Sequence, residues 1–318
     1  MRYFVTGCAG FIGSTLTDRL LSLGHDVVGY DNFSTGRARF LERALAHARF
    51  RLIRGELSEA GELAAAMRGC ELVFHLAANA DVRHGLEHPR RDLEQNTLAT
   101  LQVLEAMRAA GLKHIAFTSS GAVYGDAVQV PTPEEAGFPI QTSLYGASKA
   151  AAEGLIGAYC AGLDFRAHIF RCVSVLGERY AHGHVLDFQR QLAADPLHIR
   201  VLGDGRQRKS YIYVHDCIDA MLLALERATA RINILNVGTE HSCSVDESLG
   251  WICAALGVQP QVTYGGGERG WAGDSPLILL DVGRLRALGW QPRLTIREAV
   301  QATVEYLRAN PWVLESCA

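Results

Sequence analysis

Hydrophobic and polar positions in the first half of the chain follow two alternating periods. Short apolar runs at residues 2–6, 26–30, 50–54, 72–76, 114–118 and 165–170 have the length and the β-branched or aromatic content of buried parallel strands. Between them apolar residues recur every three or four positions. Leu16, Leu20 and Leu23 share one face of a helix over 11–23, and further helices are predicted over 58–67, 93–110 and 143–160. Strands and helices that alternate at this spacing predict an α/β fold built on a doubly wound parallel sheet.

The second half is more mixed. Helical spacing occurs over 185–194, 216–228, 245–256 and 295–309, and short strands are predicted at 199–202, 210–214, 232–237, 261–263 and 277–280. A smaller mixed α/β lobe is therefore expected over 173–318, after a first domain over 1–172, with some later segments returning to the first sheet.

Composition narrows the class. Of 318 residues, 48% are apolar and 20% charged, which is a globular balance. A net charge of −3 gives no sign of a nucleic-acid partner, and no apolar run approaches the ~18 residues of a membrane span. The strand signal begins at Arg2 and leaves no room for a signal peptide, and the eight cysteines contain no C-x-x-C pair. Reduced thiols and a cytoplasmic location are expected.

Gly7-Cys8-Ala9-Gly10-Phe11-Ile12-Gly13 follows a predicted strand and opens a predicted helix. Glycines there allow a tight turn and let backbone amides approach a pyrophosphate, whose charge the helix N-terminus favours. Asp31 follows at the end of the next strand, where a carboxylate accepts ribose hydroxyls and repels a 2′-phosphate, so NAD is expected rather than NADP. The polar loop Asn32-Phe33-Ser34-Thr35-Gly36 continues from it and could wrap the ribose.

Tyr145-Gly146-Ala147-Ser148-Lys149 is a Y-x-x-x-K sequence, which puts both end residues on one helix face. A nearby ammonium favours the phenolate and turns a poor base into a usable one. Lys149 can also hold the nicotinamide ribose. Thr118-Ser119-Ser120-Gly121-Ala122-Val123-Tyr124-Gly125 lies beyond a strand end, where a doubly wound sheet receives ligands. A serine hydroxyl there can share a hydrogen bond with a substrate hydroxyl and Tyr145. Alone, each motif is common in helices and turns; together they indicate an enzyme. His182-Gly183-His184 lacks a third ligand at metal spacing, so no metal is expected.

With these motifs the chain resembles an extended short-chain dehydrogenase/reductase of the nucleotide-sugar epimerase/dehydratase family, with a Rossmann-type first domain. The likeness continues through His75-Leu76-Ala77-Ala78, Asn96, Gly203-Asp204-Gly205, Tyr211-Ile212-Tyr213-Val214-His215-Asp216, Asn236-Val237-Gly238 and Gly273-Asp274. The closest subgroup by these motifs is the UDP-glucose 4-epimerases. The resemblance implies a sugar nucleotide lying across the two lobes. It makes Ser120 the catalytic serine, Tyr145 the base and Lys149 its electrostatic partner. It adds Glu56, Leu57, Leu76, Ala77, Ala78, Asn96 and Thr118 to the cofactor-contacting residues. It assigns Ser174, Val185, Arg208, Lys209, Tyr211, Arg269, Asp274 and Ile278 to the substrate side.

Several positions depart from the family pattern. Ser174 replaces an asparagine, Lys209 an arginine and Glu56 an aspartate; Ile278 leaves more room than a tyrosine would, enough for an N-acetylated sugar. Family dehydratases carry Asp-Glu after the serine or threonine, where this chain has Gly121 and Ala122. Neither can move a proton, and eliminating water needs an acid and a base beyond the tyrosine. The resemblance therefore implies a UDP-hexose 4-epimerase working through a transient 4-keto sugar, as a homodimer packed through residues 93–110 and 143–160. The alternatives are a UDP-N-acetylglucosamine or UDP-glucuronate 4-epimerase, a sugar-nucleotide 4,6-dehydratase and a non-catalytic NAD-binding regulator.

Overall fold

The computed structural model describes residues 1–137 and 140–315. The first elements are β1 (Arg2–Thr6), α1 (Phe11–Ser22), β2 (Asp26–Asp31), α2 (Glu42–Leu45), β3 (Phe50–Arg54), α3 (Ala60–Met67), β4 (Leu72–His75), α4 (Pro89–Asp92), α5 (Ala99–Ala110), β5 (His114–Ser120), α6 (Leu144–Leu163) and β6 (Arg166–Cys172). They are followed by β7 (Ser174–Leu176), α7 (His184–Ala194), β8 (His198–Val201), β9 (Arg208–Lys209), β10 (Tyr211–Tyr213), α8 (Val214–Arg227) and β11 (Ile232–Val237). The chain ends with β12 (Cys243–Ser244), α9 (Val245–Leu256), β13 (Gln261–Tyr264), β14 (Leu277–Ile278), α10 (Gly283–Ala287), α11 (Ile296–Ala309) and α12 (Trp312–Glu315).

Two compact units result. The first comprises Met1–Val123, Leu144–Arg171 and Met221–Leu235; the second comprises Tyr124–Ser143, Cys172–Ala220 and Asn236–Ala318. The units interleave along the chain; the sequence pattern predicts a first domain over 1–172 and a second over 173–318 with some segments returning to the first.

A seven-stranded sheet runs in the order β11-β6-β5-β4-β1-β2-β3. Strands β3, β2, β1, β4 and β5 pair in parallel, with Val5 opposite both Gly29 and Phe74. This is the order of a doubly wound sheet, which places its ligand crevice beyond the carboxyl ends of β1 and β4. β11 lies at one edge of the sheet, beside β6. β1 and β4 are almost wholly buried because helices cover both faces, which is why these strands read as continuous apolar runs. Phe4, Val28, Val73, Ile115 and Phe117 join Leu63, Val103, Met107, Ile156 and Ile169 in one core.

The helix predicted over 93–110 is in fact two windings. Leu93–Leu98 is a π-helix and α5 begins at Ala99. The extra residue in that turn brings the polar Asn96 inward, to 2% exposure, where hydrophobic periodicity alone gives it no reason to be.

In the second unit β7 pairs in parallel with β10, β8 with β13, and β9 lies between β12 and β14. α9 and α11 each start on a capping box, Ser244 with Glu247 and Thr295 with Glu298, so the starts predicted at 245 and 295 lie within one residue of the observed ones. Asn236 is wholly buried and fully used: it accepts from Tyr124 Oη at 2.8 Å and donates to the carbonyls of Thr132 (2.9 Å) and Asp281 (2.8 Å). Among the described residues no helix is long and apolar enough to cross a membrane.

Three histidines, His75 buried and His114 and His184 half-buried, give the fold a pH signature. Burial lowers His75 to about 3, with the Lys149 charge adding to the effect, and lowers His114 and His184 to about 4. The unfolded chain therefore binds these protons at a pH where the folded chain does not, so stability rises with pH across that window. Thermal melting followed from pH 7 to pH 4.5 is expected to show the midpoint falling as pH drops below about 6.5, the ordinary histidine value.

Candidate active site

The glycine loop is fixed by close contacts. Gly7 has φ +69°, and a Cβ on it would sit 2.7 Å from the Ala77 nitrogen; a Cβ on Gly13 would sit 2.0 Å from the Gly7 carbonyl oxygen. Gly10 is the N-cap of α1 and no side chain caps that helix. A glycine there offers the first amides no capping side-chain oxygen, which suits the helix N-terminus to a phosphate-bearing ligand. The partly exposed Ile12 follows the buried Phe11 in the first turn.

Asp31, at the end of β2, is 8% exposed; Oδ2 accepts from the Ala9 amide at 2.8 Å and Oδ1 from the Phe33 amide at 2.8 Å. Burial pushes its carboxyl up, and the two amide bonds oppose the shift. The carboxylate therefore ties the glycine loop to the Asn32–Gly36 loop as well as standing beside it. Asn32 accepts from the Ser34 amide and donates to the exposed Glu56, at 2.9 and 3.0 Å. Ser34 and Thr35 are exposed; Gly36, Leu57, Leu76, Ala77 and Ala78 are half-buried. The uncapped helix, the glycine approaches and the adjacent carboxylate fit a dinucleotide.

Sequence reasoning missed the support beneath this loop. Thr6 Oγ1 accepts from the Leu76 and Ala77 amides, both at 3.2 Å, so its hydroxyl hydrogen is free to donate to His75 Nδ1, 2.8 Å away. His75 Nε2 then donates to Thr100 Oγ1 at 3.0 Å, and Thr100 donates to the Asn96 carbonyl at 2.6 Å. A neutral imidazole satisfies every member of this chain, in keeping with its lowered pKa.

Ser120, Tyr145 and Lys149 all belong to the first unit. Ser120 ends β5, and its Oγ accepts from the Ala122 amide at 3.1 Å, which starts the turn Gly121–Tyr124. Tyr145 and Lys149 sit one turn apart on α6, so both face the same way. Lys149 is 2% exposed; its Nζ donates to the Thr118 carbonyl at 3.0 Å and lies 4.7 Å from the Phe117 ring centroid. A buried ammonium is tolerated only where such partners replace water. Asn96 Nδ2 donates to Ser148 Oγ at 2.9 Å, and Ser148 donates to the Tyr145 carbonyl at 2.8 Å. Asn96 Oδ1 accepts from the Asn79 amide at 2.8 Å. Asn96 is thereby bonded to the first turn of α6, and Asn79, Asp92 and Ser148 join it without any motif to announce them.

The substrate-side residues lie in the second unit. Lys209 is largely spent: its Nζ donates to Asp274 Oδ1 and to the Ser275 carbonyl, and its side chain is 12% exposed. Burial lowers its pKa, and Asp274 opposes that. Arg269 is 43% exposed on its side chain, donates to both Asp126 oxygens (2.7 and 3.3 Å) and reaches the Asp274 carbonyl. Arg208 donates to the Ser242 carbonyl at 2.9 Å and pairs with Glu247. Ser174 is exposed and Ile278 half-buried, whereas Val185 is wholly buried and Tyr211 is 4% exposed, its ring tilted against His184 with centroids 4.9 Å apart. His184 also bonds Ser248 Oγ at 2.8 Å.

Comparison with known proteins places these features in a family. Residues 3–238 match the model of the NAD dependent epimerase/dehydratase family. A UDP-glucose 4-epimerase from Mycolicibacterium smegmatis is 35% identical over 97% of this chain and 99% of its own. Among solved structures, a UDP-galactose 4-epimerase superposes with a TM-score of 0.88 at 36% identity, covering 98% of this chain and 100% of that one. A UDP-glucose 4-epimerase from Thermus thermophilus in complex with NAD gives 0.87 at 31% identity, with 98% and 100% covered. These relatives match almost from end to end, and the chain belongs to the NAD dependent epimerase/dehydratase family.

Proposed function

We propose that this chain is an NAD-dependent UDP-hexose 4-epimerase, interconverting UDP-glucose and UDP-galactose. One observation carries the choice within the family: a buried lysine on the tyrosine's helix face donates to the Thr118 carbonyl of the strand that ends at Ser120, and the turn after that serine opens on Gly121 and Ala122, neither of them an acid. That set can take a proton from one hydroxyl and give it back, which is what inversion at C4 demands. It has no second acid–base pair with which to expel water.

Tyr145 removes the proton of the C4 hydroxyl and later returns it. Lys149 favours the charged phenolic oxygen throughout, and Ser120 shares the hydrogen bond of the reacting hydroxyl. NAD, when bound, supplies reversible two-electron oxidation at the same carbon. The amides at the start of α1 would hold its pyrophosphate and Asp31 its ribose, while Asn96 supports the first turns of α6. On the substrate side we assign the diphosphate to Arg269 and Arg208 in preference to Lys209. Lys209 holds Asp274 and Ser275, whereas the two arginines expose their guanidinium groups.

A cytoplasmic setting goes with this reading, in which the chain acts on a sugar nucleotide with NAD. A homodimer packed through the π-helix, α5 and α6 is supported by the exposure of Leu93 (51%) and Leu98 (44%) and of the small residues Ala151, Gly154 and Ala158.

The activity is tested by incubation with UDP-glucose, UDP-galactose, UDP-N-acetylglucosamine and UDP-glucuronate, read by NMR. Inversion at C4 of the first two is expected; a 4-keto-6-deoxy product would overturn the assignment. Tyr145→Phe is expected to lower kcat by about 10²–10⁴-fold while NAD stays bound. Gly13→Ala is expected to yield protein without NAD, because the added methyl overlaps the Gly7 carbonyl. Light scattering is expected to give twice the 34.6 kDa chain mass, falling to that mass with Leu98→Lys.

A further inference from the structure

Glu153 lies one turn beyond Lys149 on α6, so Tyr145, Lys149 and Glu153 form a single stripe. Its carboxylate is 9% exposed and is held on two sides. Arg171, on β6, grips it bidentately, with Nε 3.0 Å from Oε1 and Nη2 2.6 Å from Oε2. Ser119, on β5, donates its hydroxyl to Oε1. Ser119 stands between Thr118, whose carbonyl holds Lys149, and Ser120. Two adjacent residues of β5 are therefore bonded to two successive turns of α6.

We propose that Glu153 is a positioning residue: clamped by Arg171, it holds Ser119 and so fixes where Ser120 stands against the Tyr145–Lys149 stripe. The inference rests on the 4-epimerase reading and adds a residue to it. A bidentate guanidinium–carboxylate pair has one geometry, unlike a lone hydroxyl contact. It leaves the pair without net charge behind Lys149. Of the nearby titratable groups, His75 on β4 feels the Lys149 charge and is neutral in its chain, and Asp92 accepts from Asn79 and Asn96. The effect on the reaction passes through Ser119 and the strand end. Near-attack geometry is sensitive to displacements of about 1 Å, which can cost about a hundredfold in rate.

The test compares NAD-loaded wild type with Glu153→Gln and Ser119→Ala. Ser119→Ala removes only one hydroxyl and so guards against a folding failure of the buried substitution. Hydrogen–deuterium exchange needs no substrate: peptides covering 117–122 and 145–153 should exchange about tenfold faster in both variants, other peptides being unchanged. With UDP-galactose, Glu153→Gln should lose about 10–100-fold in kcat with KM within about twofold. Ser119→Ala should lose less, and the double variant should lose no more than Glu153→Gln, because both break one linkage. Unchanged exchange at the strand end overturns the proposal whatever the activity. A rise in KM that matches the fall in kcat also overturns it, as does full multiplication of the two losses. Wild type that inverts no UDP-hexose instead overturns the 4-epimerase reading, and the exchange data then judge the clamp by themselves.

Discussion

The chemistry depends on an ammonium held almost wholly out of water. Lys149 gives up its hydration at 2% exposure, and the Thr118 carbonyl and the Phe117 ring face stand where water would be. A charge in such surroundings acts on its neighbours with far less screening than one on the surface. That is what a phenol needs if it is to serve as a base near neutral pH. The rest of the first unit arranges this contact: β5 supplies the carbonyl and the ring, α6 supplies the lysine and the tyrosine, and the π-helix bonds Asn96 to the first turn of α6.

The same economy of charge runs through the second unit. Lys209 is matched by Asp274, Arg269 by Asp126 and Arg208 by Glu247. An anionic ligand there competes with carboxylates already in place, so the net affinity from each cation is a difference, not a sum. The most exposed of these pairs cost least to rearrange, which is why their arginines, and not the buried lysine, are assigned the diphosphate.

Much of this was legible in the residues alone. The parallel sheet followed from apolar runs at strand length, and the glycine loop, Asp31 and the Tyr145–Lys149 pair each carry a spacing that physics ties to a task. What stayed hidden shares one property: it arises from residues far apart in the chain. Nothing local marks Glu153 as the partner of Arg171 and Ser119, or Thr6 as the support for His75. The π-helix was illegible for a related reason, since it answers to the bonds Asn96 makes with Asn79 and Ser148 and not to the apolar pattern of its own segment. Lys209 shows the limit in reverse, because a cation expected to meet phosphate is occupied by an acid 65 residues later.

The most direct measurement is an ultraviolet titration of Tyr145, isolated by subtracting the spectrum of Tyr145→Phe, in the wild type and in Lys149→Met. The account predicts that phenolate appears at lower pH when the buried ammonium is present than when methionine replaces it. Superimposable titrations would contradict it, because the tyrosine would then owe nothing to its cationic neighbour.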